Sequence, residues 1–212
     1  MRALLCLCMF LASVVALRAA DDSVADPVWR EELILMARAD QALRREISAL
    51  RGAPPPEELL ARMRKLDGDN TAKLKKMIAK RGWPTPAAVG DIGVAAAFLI
   101  VQHADRDRAF QREMLPVIET AFRAGGDGIT GEDFALLTDR VRIGDGRPQL
   151  YGTQFDIRER KIVVKPVESP EQLDARRASL GLPPMDQYLR LAAEYYQLPA
   201  AEPEAPTPKS VR

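Results

Sequence analysis

Between Ala87 and Gln102 the chain reads AAVGDIGVAAAFLIVQ, with Asp91 as its one charged residue and no polar side chain from Ile92 to Val101. A run this apolar has to be buried. It reaches only about half of the ~20 residues that a membrane-crossing helix needs, so the spacing predicts a central core helix around which the other elements pack. Gly90, Gly93 and Ala97 recur at intervals of three or four, which lets a neighbouring backbone approach that face closely. His103 follows Leu99 by one helical turn and Ala96 by two, and so extends the apolar stripe rather than the solvated face. This places the chain's single histidine at the end of the core, where a pocket can begin.

The flanking segments carry helical punctuation. Asp26-Pro27 has the form of a helix start, followed by Trp29, Leu33, Met36, Ala37 and Leu43 at broadly helical spacing. Pro54 to Pro56 break the chain, and Pro56-Glu57-Glu58 opens a second helix, with DGDN at 67–70 as an expected interruption. Lys80, Arg81 and Gly82-Trp83-Pro84 make a consistent stop. The stretch from Asp105 to Ala124 spaces Phe110, Met114, Val117 and Ala121 as a stripe that Pro116 should bend. Thr130 with Asp133 resembles a capping box for a further helix through Val141. After GDGRP the texture changes to QLYGTQFDI and KIVVKPV, the one plausible β-hairpin. SPEQLDARRASLGL then reads as a helix capped by Ser169 and stopped at Gly181, and PPMDQYLRLAAEYY as the last helix. The expected fold class is therefore mainly α: a single-domain helical bundle with a small β-hairpin near residues 148–167.

Residues 1–20 have the form of a secretory signal peptide: Arg2, an apolar run from Ala3 to Leu17, then small residues before Asp21. Cleavage after Ala19 or Ala20 is expected, and an uncleaved anchor is the alternative. The organisation expected is thus a signal peptide at 1–20, a helical domain at 21–197 and a disordered tail at 198–212, rich in Pro, Ala and Glu. The destination is the periplasm or the exterior, with no transmembrane segment after cleavage. Cys6 and Cys8 both fall within the leader, so the remaining chain holds no disulfide and relies on its core alone. Loss of Arg2 and Arg18 takes the 31 basic residues to 29 against 30 acidic ones. A chain so nearly neutral projects no field toward nucleic acid or an anionic membrane.

Several chemistries fail on residue inventory. A calcium loop aligned on GGDGITGEDF puts Phe122 or Arg123 at the first ligand position and no Glu at the twelfth. One His and no Cys in the mature chain leave a zinc site to carboxylates almost alone, so no metal and no cofactor are expected. No G-x-S-x-G elbow marks a serine nucleophile.

What remains are three polar clusters: QHAD at 102–105, TDR at 138–140 and QLYGTQ at 149–154. Each admits a site reading and a reading as buried polar support. His103 suits a general base or a hydrogen-bond donor to a ligand, with Asp107 one turn on, or Asp105 through a local bend, to orient its ring. Asp139 and Arg140 are adjacent and point too far apart on a helix to pair, so each needs another partner. Arg140 matches a ligand carboxylate or phosphate, and equally a protein carboxylate such as Asp105. On a strand, Gln149, Tyr151 and Thr153 share one face, while Leu150, Gly152 and Gln154 share the other. Gly152 then marks a bulge or a close backbone approach.

The order RGWP, VG, QHAD, LTDR, QLYGTQ and DARRASLGLPP followed by a Tyr resembles an uncharacterised bacterial family of mostly exported proteins, a domain of unknown function. The resemblance runs from about Asn70 to Tyr188. It implies that Trp83, Gln102, His103, Asp105, Asp139, Arg140, Gln149, Tyr151, Gly152 and Gln154 belong to a signature, with Arg176, Arg177 and Gly181 in its C-terminal part, and it implies no particular chemistry. The expectation drawn from residues and resemblance together is one pocket for a small polar or anionic ligand. Gln102, Asp139, Arg140, Gln149, Tyr151 and Gln154 would line it, with His103 and Asp105 as the catalytic candidates. The alternatives are a metal-independent hydrolase or lyase using His103 as general base, and an envelope-associated helical interaction module whose polar residues form a structural network. Protein partners are left open.

Overall fold

The computed structural model describes residues 24–50, 53–125 and 128–199. The leader and nearly all of the tail expected from the sequence lie outside these residues. Seven helices and one two-stranded hairpin are described: α1 (Pro27–Ser48), α2 (Glu57–Arg81), α3 (Pro86–Gln102), α4 (Arg108–Ala124), α5 (Gly131–Gly144), β1 (Phe155–Arg158), β2 (Lys161–Val164), α6 (Leu173–Ser179) and α7 (Met185–Tyr195). The fold is mainly α, with the hairpin where the change of texture placed it. No helix among the described residues is long and apolar enough to cross a membrane.

The core helix is α3. Val94, Ala97, Phe98, Ile100 and Val101 are all buried, and α1 packs along α3 more extensively than any other pair of elements meets. Leu33 and Met36 from α1, Leu74 from α2, Met114 and Ile118 from α4 and Leu137 from α5 complete one cluster around it. Trp83 of the RGWP turn packs against the same cluster. A second cluster joins the hairpin to α7 through Phe155, Tyr188, Ala192 and Tyr196.

Local signals explain most of the boundaries. The Asp26 carboxylate accepts the Trp29 N–H at 2.9 Å ahead of Pro27. Thr130 and Asp133 form a reciprocal capping box at the start of α5. Gly125, in the left-handed conformation, closes α4, which accommodates Pro116 in its interior. Gly90 does more than admit a close neighbour: at φ 70° and ψ 165° it kinks α3 near its start.

Three expectations need correction. The DGDN stretch does not interrupt α2, which runs unbroken from Glu57 to Arg81. Its polar residues are held within the bundle: Asn70 and Thr71 are buried, and the Thr71 hydroxyl donates to the Asp67 carbonyl at 2.7 Å. The segment 149–154 is not a strand. It is a loop that touches the hairpin side through a single parallel bridge between Gln149 and Val167, so the alternation of faces read from it does not apply. Finally, Ser169 caps nothing with its side chain, and a 3-10 turn, Pro170–Gln172, precedes α6.

Two glycine substitutions check these contacts. A Cβ on Gly68 meets nothing within 4 Å, so Gly68→Ala should gain about 0.5–1 kcal/mol by helix propensity alone. A Cβ on Gly131 would lie 2.1 Å from the Leu180 carbonyl oxygen, so Gly131→Ala should cost about 1–3 kcal/mol of overpacking. Urea unfolding measures both, and a Gly68→Ala variant no more stable than the parent would speak against a continuous α2.

Candidate functional site

The QLYGTQ loop is organised by a buried acid. Asp139, on the inward face of α5 and fully buried, accepts N–H groups from Leu150 at 2.7 Å, Tyr151 at 3.0 Å and Thr153 at 2.9 Å, together with the Thr153 hydroxyl at 2.9 Å. Burial pushes its carboxyl above the ordinary range, and the hydrogen bonds from Thr153, Leu150 and Tyr151 pull the other way. The loop's carbonyls are held from outside. Arg176 donates to the Leu150 oxygen at 2.8 Å, and Arg177 donates to the Tyr151 and Pro183 oxygens with its guanidinium 4.6 Å from the Tyr188 ring centre. Gln149 fastens the loop to itself, donating to the carbonyls of Gln154 and Lys165 and accepting the Gln154 N–H. Gly152, at φ 72°, stands so close to Met185 that an added Cβ would lie 2.9 Å from its sulfur, the close approach foreseen for it. Asp139 and Gln149 are therefore committed to backbone groups. Tyr151 is half-buried and lies 6.3 Å from the Phe134 ring centre.

Arg140 points elsewhere, as its adjacency to Asp139 requires. Its side chain is 5% exposed and pairs with Asp105, which is 46% exposed. Burial raises the Asp105 carboxyl, but Arg140, His103 and Gln111 outweigh it and hold the group below its ordinary range. Gln111 also donates to the Val101 and Gln102 carbonyls at 3.2 Å, fixing the exit of α3, where Gln102 is buried. Arg140, Asp105, Gln111 and Gln154 line a small cavity of about 130 Å³, together with Arg108 and Lys165.

His103 faces a different space. Its Nδ1 lies 2.9 and 3.0 Å from the two carboxylate oxygens of Asp40, on α1, and the two side chains are 3% and 1% exposed. Arg44, one turn further along α1, contacts the Asp40 carboxylate at 3.2 Å and reaches across to Asp67 on α2 at 2.9 Å. The ring lines a cleft of about 490 Å³ between α2 and the 103–107 turn, with Asp67, Thr71, Lys75, Lys76 and Arg106 among the lining residues. Burial raises Asp40, and the charges of His103 and Arg44 with hydrogen bonds from His103 and Gln41 more than offset it, leaving the carboxyl lowered. Asp67 is raised by burial in spite of Arg44.

Asp40 thus takes the orienting role that the sequence assigned to Asp107 or Asp105. Asp107 is the N-cap of α4, accepting the Phe110 N–H at 3.1 Å, and it binds Lys75 at 2.7 Å; Asp105 is taken by Arg140. The three polar clusters meet in part: Asp105, Arg140 and Gln154, one residue from each, line the smaller cavity, whereas His103 lines the larger cleft and Tyr151 lines neither of the two. Sequence reasoning missed Asp40, Arg44, Asp67 and Lys76. The one available signal was the position of Asp40 seven residues after Leu33 and four after Met36, on the buried stripe of α1.

The lowered carboxyl of Asp40 has a definite sign in acid. A folded-state pKa below the unfolded value of about 4 gives stability that is present above that value and is lost as pH falls through the folded one. Asp40→Asn should therefore cost about 3–5 kcal/mol at neutral pH, and the gap to wild type should narrow below about pH 4. Denaturant titrations between pH 3 and 7 measure it; a gap that stays constant would deny Asp40 its ionised role.

Comparison with curated proteins and with solved structures finds no match to this chain. A family match extends over residues 27–200, from the start of α1 to past the end of α7, and so takes in Asp40, His103, Asp139 and the whole 149–154 loop. The chain belongs to the family of unknown function DUF6624.

Proposed function

We propose that the protein binds a small organic anion in the cleft between α2 and the 103–107 turn, with His103 as the group that exchanges a proton with it. The observation that carries this reading is the Asp40–His103 pair. A histidine whose Nδ1 rests on a buried carboxylate, 2.9 Å away, has a fixed ring orientation, and here the same ring lines a cleft. Lys75, Lys76 and Arg106 supply positive charge around that cleft, and Thr71, Ala72 and Ala104 give it short side chains that leave room for an apolar body. Asp67, its carboxyl raised by burial although it pairs with Arg44, is a second titratable group in the same space.

A second reading, favoured by the same pair, makes the protein a metal-independent hydrolase or lyase. Nδ1 on a carboxylate is the arrangement that raises the basicity of the opposite ring nitrogen and stabilises the imidazolium once it forms. No serine or cysteine lines the cleft, so His103 would act on water or on a proton of the ligand itself. Localisation belongs to the proposal too: export through the leader at 1–20 puts this cleft outside the cytoplasm. N-terminal sequencing of the protein from its native compartment should then begin at Ala20 or Asp21; a chain still starting at Met1 would favour the uncleaved anchor if membrane-bound and would remove the exported setting if found in the cytoplasm.

Thermal unfolding with benzoate, succinate and phenyl phosphate tests the site. A ligand at 100 times its dissociation constant stabilises by about 2.7 kcal/mol, a rise in Tm of roughly 5–10 °C for a chain of this size. Lys76→Ala should weaken the binding at least tenfold without lowering the unliganded Tm. Binding retained with His103→Gln but stripped of its pH dependence supports the proton role. Failure of all three probes to shift the Tm, together with a large loss of stability in His103→Gln, would favour a purely structural polar network.

A further inference from the structure

We propose that the small cavity bounded by α4, α5 and the end of β2 is a binding site for a phosphate group, and that Asp105 occupies the place of that anion in the empty protein. The inference is independent of the His103 cleft. It rests on three features of the cavity.

The first is charge. Arg108 comes from the start of α4, Arg140 from the middle of α5 and Lys165 from the residue after β2, so three separate segments each contribute a cationic residue to the lining of one space, against Asp105 as its one carboxylate. The second is an asymmetry within the Arg140–Asp105 pair. The guanidinium is 5% exposed and carried by α5, whereas the carboxylate is 46% exposed and sits on a turn. A buried cation paired with a solvent-open carboxylate can exchange that carboxylate for another acid, because the arm that leaves moves into water and the arm that stays keeps its charge compensated. The third is size. At about 130 Å³ the cavity is well under the ~300–1,000 Å³ of sites that enclose drug-sized ligands, and a tetrahedral oxyanion suits both the volume and the fork of guanidinium donors.

The surrounding bonds leave the cations in position. Arg108 is steadied by donating to the Gly144 carbonyl at 2.9 Å. Lys165, 11% exposed, pairs with Asp156 at 3.3 Å, and its backbone N–H and carbonyl are tied to Gln154 and Gln149. Replacement of its side chain therefore leaves the loop's bonding intact. Gln111 keeps its amide on the α3 exit and reaches Asp105 at 3.4 Å, so departure of Asp105 does not unfasten the turn.

Isothermal titration with inorganic phosphate on the full chain decides the matter. Asp105→Asn, which removes the competing carboxylate charge, should bind phosphate at least tenfold more tightly than wild type. Adding Lys165→Ala to that variant should reverse the gain, whereas Lys76→Ala, in the other cleft, should leave it unchanged. Arg140→Lys is the companion test of the guanidinium, with Lys165→Ala serving if the Arg140 variant does not fold. Equal phosphate affinity in wild type and Asp105→Asn would overturn the proposal, as would a gain that Lys76→Ala abolishes and Lys165→Ala does not touch. Competition by methyl phosphate at equal concentration would identify the terminal phosphate of a larger molecule as the occupant, and its failure to compete would identify the free ion.

Discussion

A carboxylate that is 1% exposed has to be compensated, and at Asp40 that requirement governs how three helices meet. Removing an ionised acid from water costs several kcal/mol even after the protein relaxes around it. The compensation comes from His103 at the end of α3 and from Arg44 one turn along α1. Because Arg44 also grips Asp67, α2 is drawn into the same network. The apolar contacts of α1, α2 and α3 would tolerate small slips along the helix axes; the charge network would not, since a slip of one turn separates Asp40 from His103 and Arg44 from Asp67. The hydrophobic core thus supplies the bulk of the stability, and Asp40 selects one register.

The second buried acid does comparable work on a loop. Six residues between α5 and β1 have no ladder of their own, yet their inward N–H groups must be satisfied. Asp139 collects them from within, while Arg176 and Arg177 on α6 collect the carbonyls. This arrangement ties α6 to a loop far from it in sequence and accounts for the presence of an arginine that is 1% exposed. Removal of any one of these side chains would leave a buried backbone group without its partner, which is why the cluster reads as polar and functional in sequence while its atoms are spent on the fold.

The legible parts of the sequence were those governed by local physics. The apolar run before His103, the proline and threonine caps and the left-handed glycines each act within a few residues, and the helices they imply are present. The depth of His103 was legible for the same reason, since helical periodicity alone places it on the buried stripe. What was not legible depends on distance in the chain. Asp40 sits in RADQALRRE, among charged residues that a solvated face would also show, and its burial depends on a partner 63 positions away. The loop 149–154 was misread because alternating polar and apolar residues suit a strand, whereas the nearby acid that claims its N–H groups lies on a preceding helix. The DGDN stretch was misread because Gly and Asp break isolated helices, and it is tertiary contact, through Asp67 to Arg44 and Asn70 into the bundle, that carries α2 through it.

The turn after α3 gives this geometry its functional interest. The helix stops at Gln102, with His103 at φ −95° and ψ 5°, and the turn that follows presents His103, Arg106 and Asp107 to the larger cleft and Asp105 to the smaller cavity. The two spaces are therefore separated by the width of one turn and share its backbone. A change in the partner of Asp105 at one cavity moves the negative charge felt by His103 at the other, since the two groups interact electrostatically. The segment is held at both ends, by the Gln111 amide at the exit of α3 and by the Asp107 cap at the start of α4, so a charge movement of this kind needs no helix to shift.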